Sequence, residues 1–253
     1  MPISGSTTRS WATPSRPSTI TAWQSILTAP LILPASVCTN CRAKPNRNHA
    51  KWARRHIPTW KVNIYLLRHG ATGLSGNFVG TTDIPLSEEG ISQAKKRCFV
   101  ISPLFFDRVY CSPLLRCRQT VDCLALDQEI IEAEDLREVD FGHWEGLSAS
   151  AIERVDPAGL SRWHKEAEQF HFPGGESIPS FNNRVSGWFD DLARQQWRSV
   201  LIVSHGGVIR HGLCHLLGIQ TSSAQAFKVA EAGLAVVEYE QGYGRLIKLD
   251  NMV

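Results

Sequence analysis

Val62-Asn63-Ile64-Tyr65-Leu66-Leu67-Arg68-His69-Gly70 decides how this chain folds: a short apolar run of strand type delivers an arginine, a histidine and a glycine at its carboxyl end. A histidine after a strand is commonly an ordinary turn residue. What singles this one out is a second, in Val203-Ser204-His205-Gly206-Gly207, after the buried-strand run Ser199 to Ser204. In open α/β sheets the ligand crevice lies beyond the carboxyl ends of the strands. His69 and His205 are therefore expected to be neighbours despite their separation in sequence.

Outward from this pair the pattern alternates strands and helices. Pro85-Leu86-Ser87 leads into a helix from about Glu88 to Val100, with Ser87 as N-cap and Glu88 and Glu89 suited to the helix dipole. Arg108 to Cys111 reads as a strand, and Ser112-Pro113 as a cap and first helical residue of a helix running to about Leu126. Glu129 to Glu132 is a possible third strand. Phe181, Val185, Trp188, Phe189 and Leu192 form a core-facing helical stripe; Val208 to Leu217 is a helix ending at Gly218; Ala235 to Tyr239 and Leu246 to Leu249 are final strands. An α/β sandwich follows. From Leu136 to Gly175 the pattern turns irregular, interrupted by Pro157 and Pro173, and such excursions tend to carry function.

The 253 residues with 43% hydrophobic content can supply one sizeable core. Residues 1–61 hold nine Lys plus Arg and no acid, leaving 18 Lys plus Arg against 24 Asp plus Glu over 62–253. The basicity thus belongs to the leader and argues for no nucleic-acid surface on the folded part. The leader is rich in Ser, Thr, Pro and Arg and reads as disordered. A misplaced start is the leading account of it, since Met1 and Met252 are the only methionines and Val62 opens the first strand. A transit peptide and a plain disordered extension are the rivals. The run Ile26 to Ala35, broken by Pro30 and Pro34, falls short of a membrane span, so no membrane partner is expected. Seven irregularly spaced cysteines describe no disulfide framework and fit a reducing cytoplasm; Cys38-x-x-Cys41 is half a zinc pattern without its other half.

An unprotonated imidazole held in line can attack phosphorus, which suits His69. Gly70 would allow a tight turn and backbone approach to phosphate, and Arg68 would offer planar donors to two phosphate oxygens. Arg116 and Arg118 lie about 200° apart around a helix and cannot face one site; Arg116, one turn beyond Ser112, is the one expected at the strand end. A leaving alkoxide needs a proton, and Glu138, Asp140 and Glu145 are near-equal candidates to carry it, the same carboxylate then activating water. His211 and His215 have the spacing of a metal pair but no accompanying Glu, so a packing role is preferred. His143, His164 and His171 default to solvated loops.

The chain resembles the histidine phosphatase, or phosphoglycerate-mutase-like, superfamily. The matching pieces are Leu67-Arg68-His69-Gly70-Ala71-Thr72, Leu86-Ser87-Glu88-Glu89-Gly90, Cys111-Ser112-Pro113-Leu114-Leu115-Arg116-Cys117-Arg118-Gln119-Thr120, Leu136-Arg137-Glu138-Val139-Asp140-Phe141-Gly142 and Ser204-His205-Gly206-Gly207. Their order covers essentially all of 62–253. The resemblance implies a three-layer α/β/α sandwich with a mostly parallel central sheet and a small cap excursion. It implies that His69 is phosphorylated, that Arg68, Arg116 and His205 hold the phosphoryl group, that Glu138 is the proton donor, and that neither metal nor other cofactor is used. Asn77 lies where the family often places an Asn near phosphate, and Gly70 and Gly206 join it on the substrate side. Mutases of the family usually follow the acid with arginine; Val139 here argues for a phosphatase acting on a small-molecule phosphate monoester. Phe141-Gly142-His143-Trp144-Glu145-Gly146 and Phe172-Pro173-Gly174-Gly175-Glu176-Ser177 look most like α-ribazole phosphatases of cobalamin biosynthesis, with a broad-specificity phosphatase or mutase as alternatives and a non-enzymatic phosphate-binding protein as the remote one. Trp144, Phe170 and Phe172 would then wall a flat base, and Glu176 or Ser177 would meet ribose hydroxyls. Oligomeric state is not legible.

Overall fold

The computed structural model describes residues 61–251. The expected leader, with Cys38, Cys41 and the Ile26–Ala35 run, lies outside the described residues except for Lys61, which opens the first strand.

Six strands form one sheet in the order β3-β2-β4-β1-β5-β6. β1 (Lys61–Arg68) and β4 (Ser199–Ser204) are parallel central neighbours, with Leu67 opposite Val203 and Arg68 opposite Ser204. The His69 N–H then donates to the Ser204 carbonyl at 3.0 Å, so the two strands end side by side and hand their histidines to one crevice. β2 (Arg108–Cys111) lies parallel to β4 and to β3 (Ile130–Glu132). β5 (Leu234–Glu240) runs antiparallel to β1, and β6 (Tyr243–Asp250) antiparallel to β5, which completes the mostly parallel sheet expected from the sequence.

Both faces of β1 are covered, and each contributes to a cluster. Val62, Ile64 and Leu66 join a cluster with Phe181, Val185, Phe189 and Leu213, whereas Leu67 joins one with Ile101, Phe106 and Val121. The first cluster is closed by α5 (Ile178–Ala193) and α6 (Gly206–Leu217), the second by α1 (Glu88–Ile101) and α2 (Leu115–Asp122). Ser87 caps α1 through the Gly90 N–H at 3.1 Å. Gly218 ends α6 at φ 67°, a left-handed conformation that favours glycine.

α2 departs from the sequence reading. It begins at Leu115 rather than Pro113 and ends at Asp122 rather than near Leu126, where Ala125 takes a positive φ of 50°. The Ser112 hydroxyl is drawn to His205 instead of capping the helix in the usual way, and Asp83 Oδ1 accepts the Leu115 N–H at 2.6 Å from another segment. In the excursion, Pro157 opens α4 (Pro157–Glu166) directly after α3 (Ala149–Val155), with Asp156 accepting the Gly159 N–H at 2.8 Å. Among the described residues no helix is long and apolar enough to cross a membrane.

Candidate active site

His69 stands buried at the end of β1, its Nδ1 2.7 Å from the Gly70 carbonyl. A carbonyl only accepts, so Nδ1 carries the proton and Nε2 keeps its lone pair. Gly70 serves the site differently from the expectation. Its N–H donates to Thr120 Oγ1 at 3.2 Å rather than waiting for phosphate, and a Cβ on it would overlap the Gly90 carbonyl of α1. The missing side chain therefore lets the turn after β1 seat against the first turn of α1.

His205 has the opposite tautomer. Arg116 Nε donates to its Nδ1 at 3.2 Å, which leaves the proton on Nε2, 2.8 Å from Ser112 Oγ. The two imidazoles lie 5.2 Å apart, centroid to centroid. Cys117 Sγ is 3.5 Å from His205 Nε2, and burial pushes that thiol up to about 12, so it stays protonated.

Arg116 is only 1% exposed, while Arg118 is exposed and 4.0 Å from Glu132 on the surface. The Arg116 guanidinium donates to the carbonyls of Thr82 at 3.0 Å and Gly80 at 2.8 Å. That loop is held from its other edge by Glu145, which accepts the N–H groups of Gly80, Thr81 and Thr82 at 3.0–3.2 Å and the Thr82 hydroxyl at 2.6 Å. Burial alone would raise the Glu145 pKa, but the bonds from Thr82, Phe141 and Thr81 outweigh it and hold the group below its ordinary value.

This separates the three rival carboxylates. Glu145 organises the loop, and Asp140 Oδ1 accepts the Gly142 N–H at 2.8 Å. Glu138 is buried against the amino end of α6, with Oε2 accepting from Gly207 N at 2.9 Å and Oε1 from Val139 N at 3.1 Å. It is also the one of the three whose charge bears on both Arg68 and Arg116. Arg68 itself donates from Nη1 to the Val229 carbonyl at 2.9 Å and lies 3.9 Å from Glu231.

Burial first, then the charges of Arg68 and Arg116, hold His69 well below its ordinary value near 6.5; burial and Arg116 do the same to His205. An unfolded imidazole takes up its proton near 6.5 and the folded ones do not, so their contribution to stability is intact above that pH and is lost as pH falls below it. The nucleophile meanwhile stays neutral in the fold. The acid limb of phosphoryl transfer to His69, followed by rapid quench across pH, is expected below 6.5; half-loss at 6.5 or above would contradict the burial argument.

Other expected positions sit elsewhere. Trp144 is 1% exposed, packed on Phe78, Phe170 and Phe172 at 5.3–5.7 Å, with Nε1 on Asp156 at 3.2 Å. It is core of the excursion, and the apolar wall expected for a flat base is corrected accordingly: the aromatic side chains cover one another. Glu176 pairs with Arg184 at 2.9 Å, so its carboxylate has a partner inside the protein. Asn77 Nδ2 donates to the Gly146 carbonyl at 2.9 Å, tying its loop to the excursion. Gly206 opens α6 beside Arg68. His211 meets Asn182 and is pushed down to about 4 by burial and Arg210, while His215 meets Asp190 at 2.6 Å, so each has its own partner on α5. Among the described residues no three His, Cys, Asp or Glu side chains cluster as a metal set. Sequence reasoning missed Ser112 as the partner of His205, Thr120 beneath Gly70, and Asp83 as a remote cap.

The sequence pattern of the histidine phosphatase superfamily (branch 1) matches residues 64–252. Phosphoserine phosphatase 1 of Hydrogenobacter thermophilus is 31% identical over 75% of this chain and 92% of its own length. The adenosylcobalamin/α-ribazole phosphatase of Salmonella typhimurium is 28% identical over 75% of this chain and 96% of its own. The crystal structure of the α-ribazole phosphatase from Shigella flexneri superposes with a TM-score of 0.69 at 27% identity, covering 76% of this chain and 96% of that one.

Proposed function

Because the chain belongs to the histidine phosphatase superfamily and is a phosphoric monoester hydrolase, we propose that it works by double displacement through phospho-His69. Nε2 of His69 attacks phosphorus, the phosphorus–oxygen bond to the leaving alkoxide breaks, and Glu138 gives that oxygen its proton. Water then attacks the phosphohistidine while Glu138 takes the proton back, releasing phosphate and the neutral imidazole. Arg68 and the remaining N–H groups of Arg116 face the phosphoryl oxygens, and His205, held by Arg116 and Ser112, completes the pocket. The carrying observation is the His69 ring, fixed through Nδ1 with Nε2 free. Turnover of a phosphoryl-labelled ester quenched in alkaline denaturant is expected to leave label on the protein in a bond that mild acid breaks. An unlabelled protein, or an acid-stable linkage, would overturn the mechanism.

Two substrate readings differ in chemistry. α-Ribazole 5′-phosphate, of cobalamin biosynthesis, is supported by likeness to the ribazole phosphatases. A phosphomonoester bearing a carboxylate is supported by the phosphoserine phosphatase relative and by the buried, unpartnered Nε of Arg210, across Gly206 from Arg68, and we rank it first. Val139, in place of the arginine that follows the acid in mutases, supports hydrolysis over phosphoryl exchange. Cytoplasmic residence belongs to the same proposal, on cysteine usage alone.

A further inference from the structure

Two guanidinium nitrogens, Arg68 Nε and Arg210 Nε, are buried with no hydrogen-bond partner. They flank one residue. A Cβ on Gly206 would lie 3.4 Å from Arg68 Nε and 3.5 Å from Arg210 Nη1. Arg210 is one turn beyond Gly206 on α6, and helical side chains lean toward the amino end, so its guanidinium reaches back over the first turn into the space that glycine leaves.

The Arg210 side chain makes no hydrogen bond or ion pair among the described residues. A half-buried cation set beside another is repelled by it and loses hydration, a cost that an anion between them removes. Glu231 is not that anion. It lies 3.9 Å from Arg68 Nη2, beyond hydrogen-bonding distance, and its Oε1 accepts the Ser75 hydroxyl at 2.6 Å. Nor does the transferred phosphoryl group account for Arg210. Arg116 is the guanidinium held to His205, at 3.2 Å, whereas Arg210 lies across the Gly206 position from Arg68.

We propose that Arg210, beside Arg68 Nε, forms a second anion subsite that takes a carboxylate of the substrate, so that Arg210 selects acidic phosphomonoesters over neutral ones. Arg68 then stands between the two anions. The inference rests on the phosphatase reading of His69 and names the substrate class for that site.

Phosphoserine and glycerol 3-phosphate are both primary alkyl phosphates, and of the two only phosphoserine has a carboxylate. Wild type is expected to favour phosphoserine in kcat/KM. In Arg210→Met the ratio of the two kcat/KM values should fall by about 10- to 100-fold, as for loss of one charge-assisted bond, mainly through KM. Arg210→Lys should recover part of it, and Arg210→Gln, which keeps a polar end without charge, should not. A ratio near one in wild type, or one unmoved in Arg210→Met, would overturn the subsite while leaving phospho-His69 standing. A wild-type protein that forms no phosphoenzyme with either ester would overturn both readings.

Discussion

Replacing His69 by alanine is expected to abolish the phosphoenzyme and to lower kcat/KM on nitrophenyl phosphate by at least about 10⁴-fold. The size follows from the loss of the nucleophile itself, since His205, the neighbouring imidazole under the same charges, has its unprotonated Nδ1 occupied by Arg116 and its Nε2 on Ser112. The substitution leaves the neighbouring network intact: His205 keeps Arg116 and Ser112, and the His69 ring bonds only to the adjacent Gly70 carbonyl. Folding is therefore expected to survive, which circular dichroism and thermal unfolding would check. A His69→Ala protein that still labels and turns over would refute the assignment.

Gly207→Ala should come next in its damage to alkyl phosphate turnover, although residue 207 has no chemistry of its own. A Cβ there would overlap Glu138 Oε1 and come within 2.9 Å of the carboxyl carbon, so the carboxylate must leave its place against α6. A positioned general acid is worth about 10² to 10⁴ in rate. The expected loss in kcat on an alkyl phosphate is of order 10²- to 10³-fold, with a smaller loss on nitrophenyl phosphate, whose leaving group needs less help. Glu138→Gln should show the same contrast. Equal slowing of both esters in the two variants would count against Glu138 as the acid.

The histidine pair was legible because parallel neighbouring strands end at one edge, a consequence of topology that needs no side-chain detail. Arg116 was separable from Arg118 even though the start of α2 was misjudged, because the angle between two helical positions does not depend on where the helix begins. Glu138, Asp140 and Glu145 were not separable from composition. Glu145 and Glu138 are placed by N–H groups of the loop at Gly80 and of the α6 terminus, far away in sequence, whereas Asp140 turns to its own neighbour Gly142. Trp144 was misread for a related reason. An aromatic residue in a glycine-rich stretch can face solvent or its own kind, and here Phe78, Phe170 and Phe172 cover it. Arg210 escaped notice because its meaning lies one helical turn from a glycine, a spacing that yields no motif.

The backbone from Gly80 to Thr82 has its N–H edge on Glu145 and carbonyls on Arg116. It acts as an electrical spacer, keeping an anion and a cation from collapsing onto each other while both hold it taut. For anyone refitting this enzyme to a new ester, that ribbon marks a seam. The residues up to Glu145 belong to the chassis, and swapping them would slacken Arg116 before any new substrate arrived.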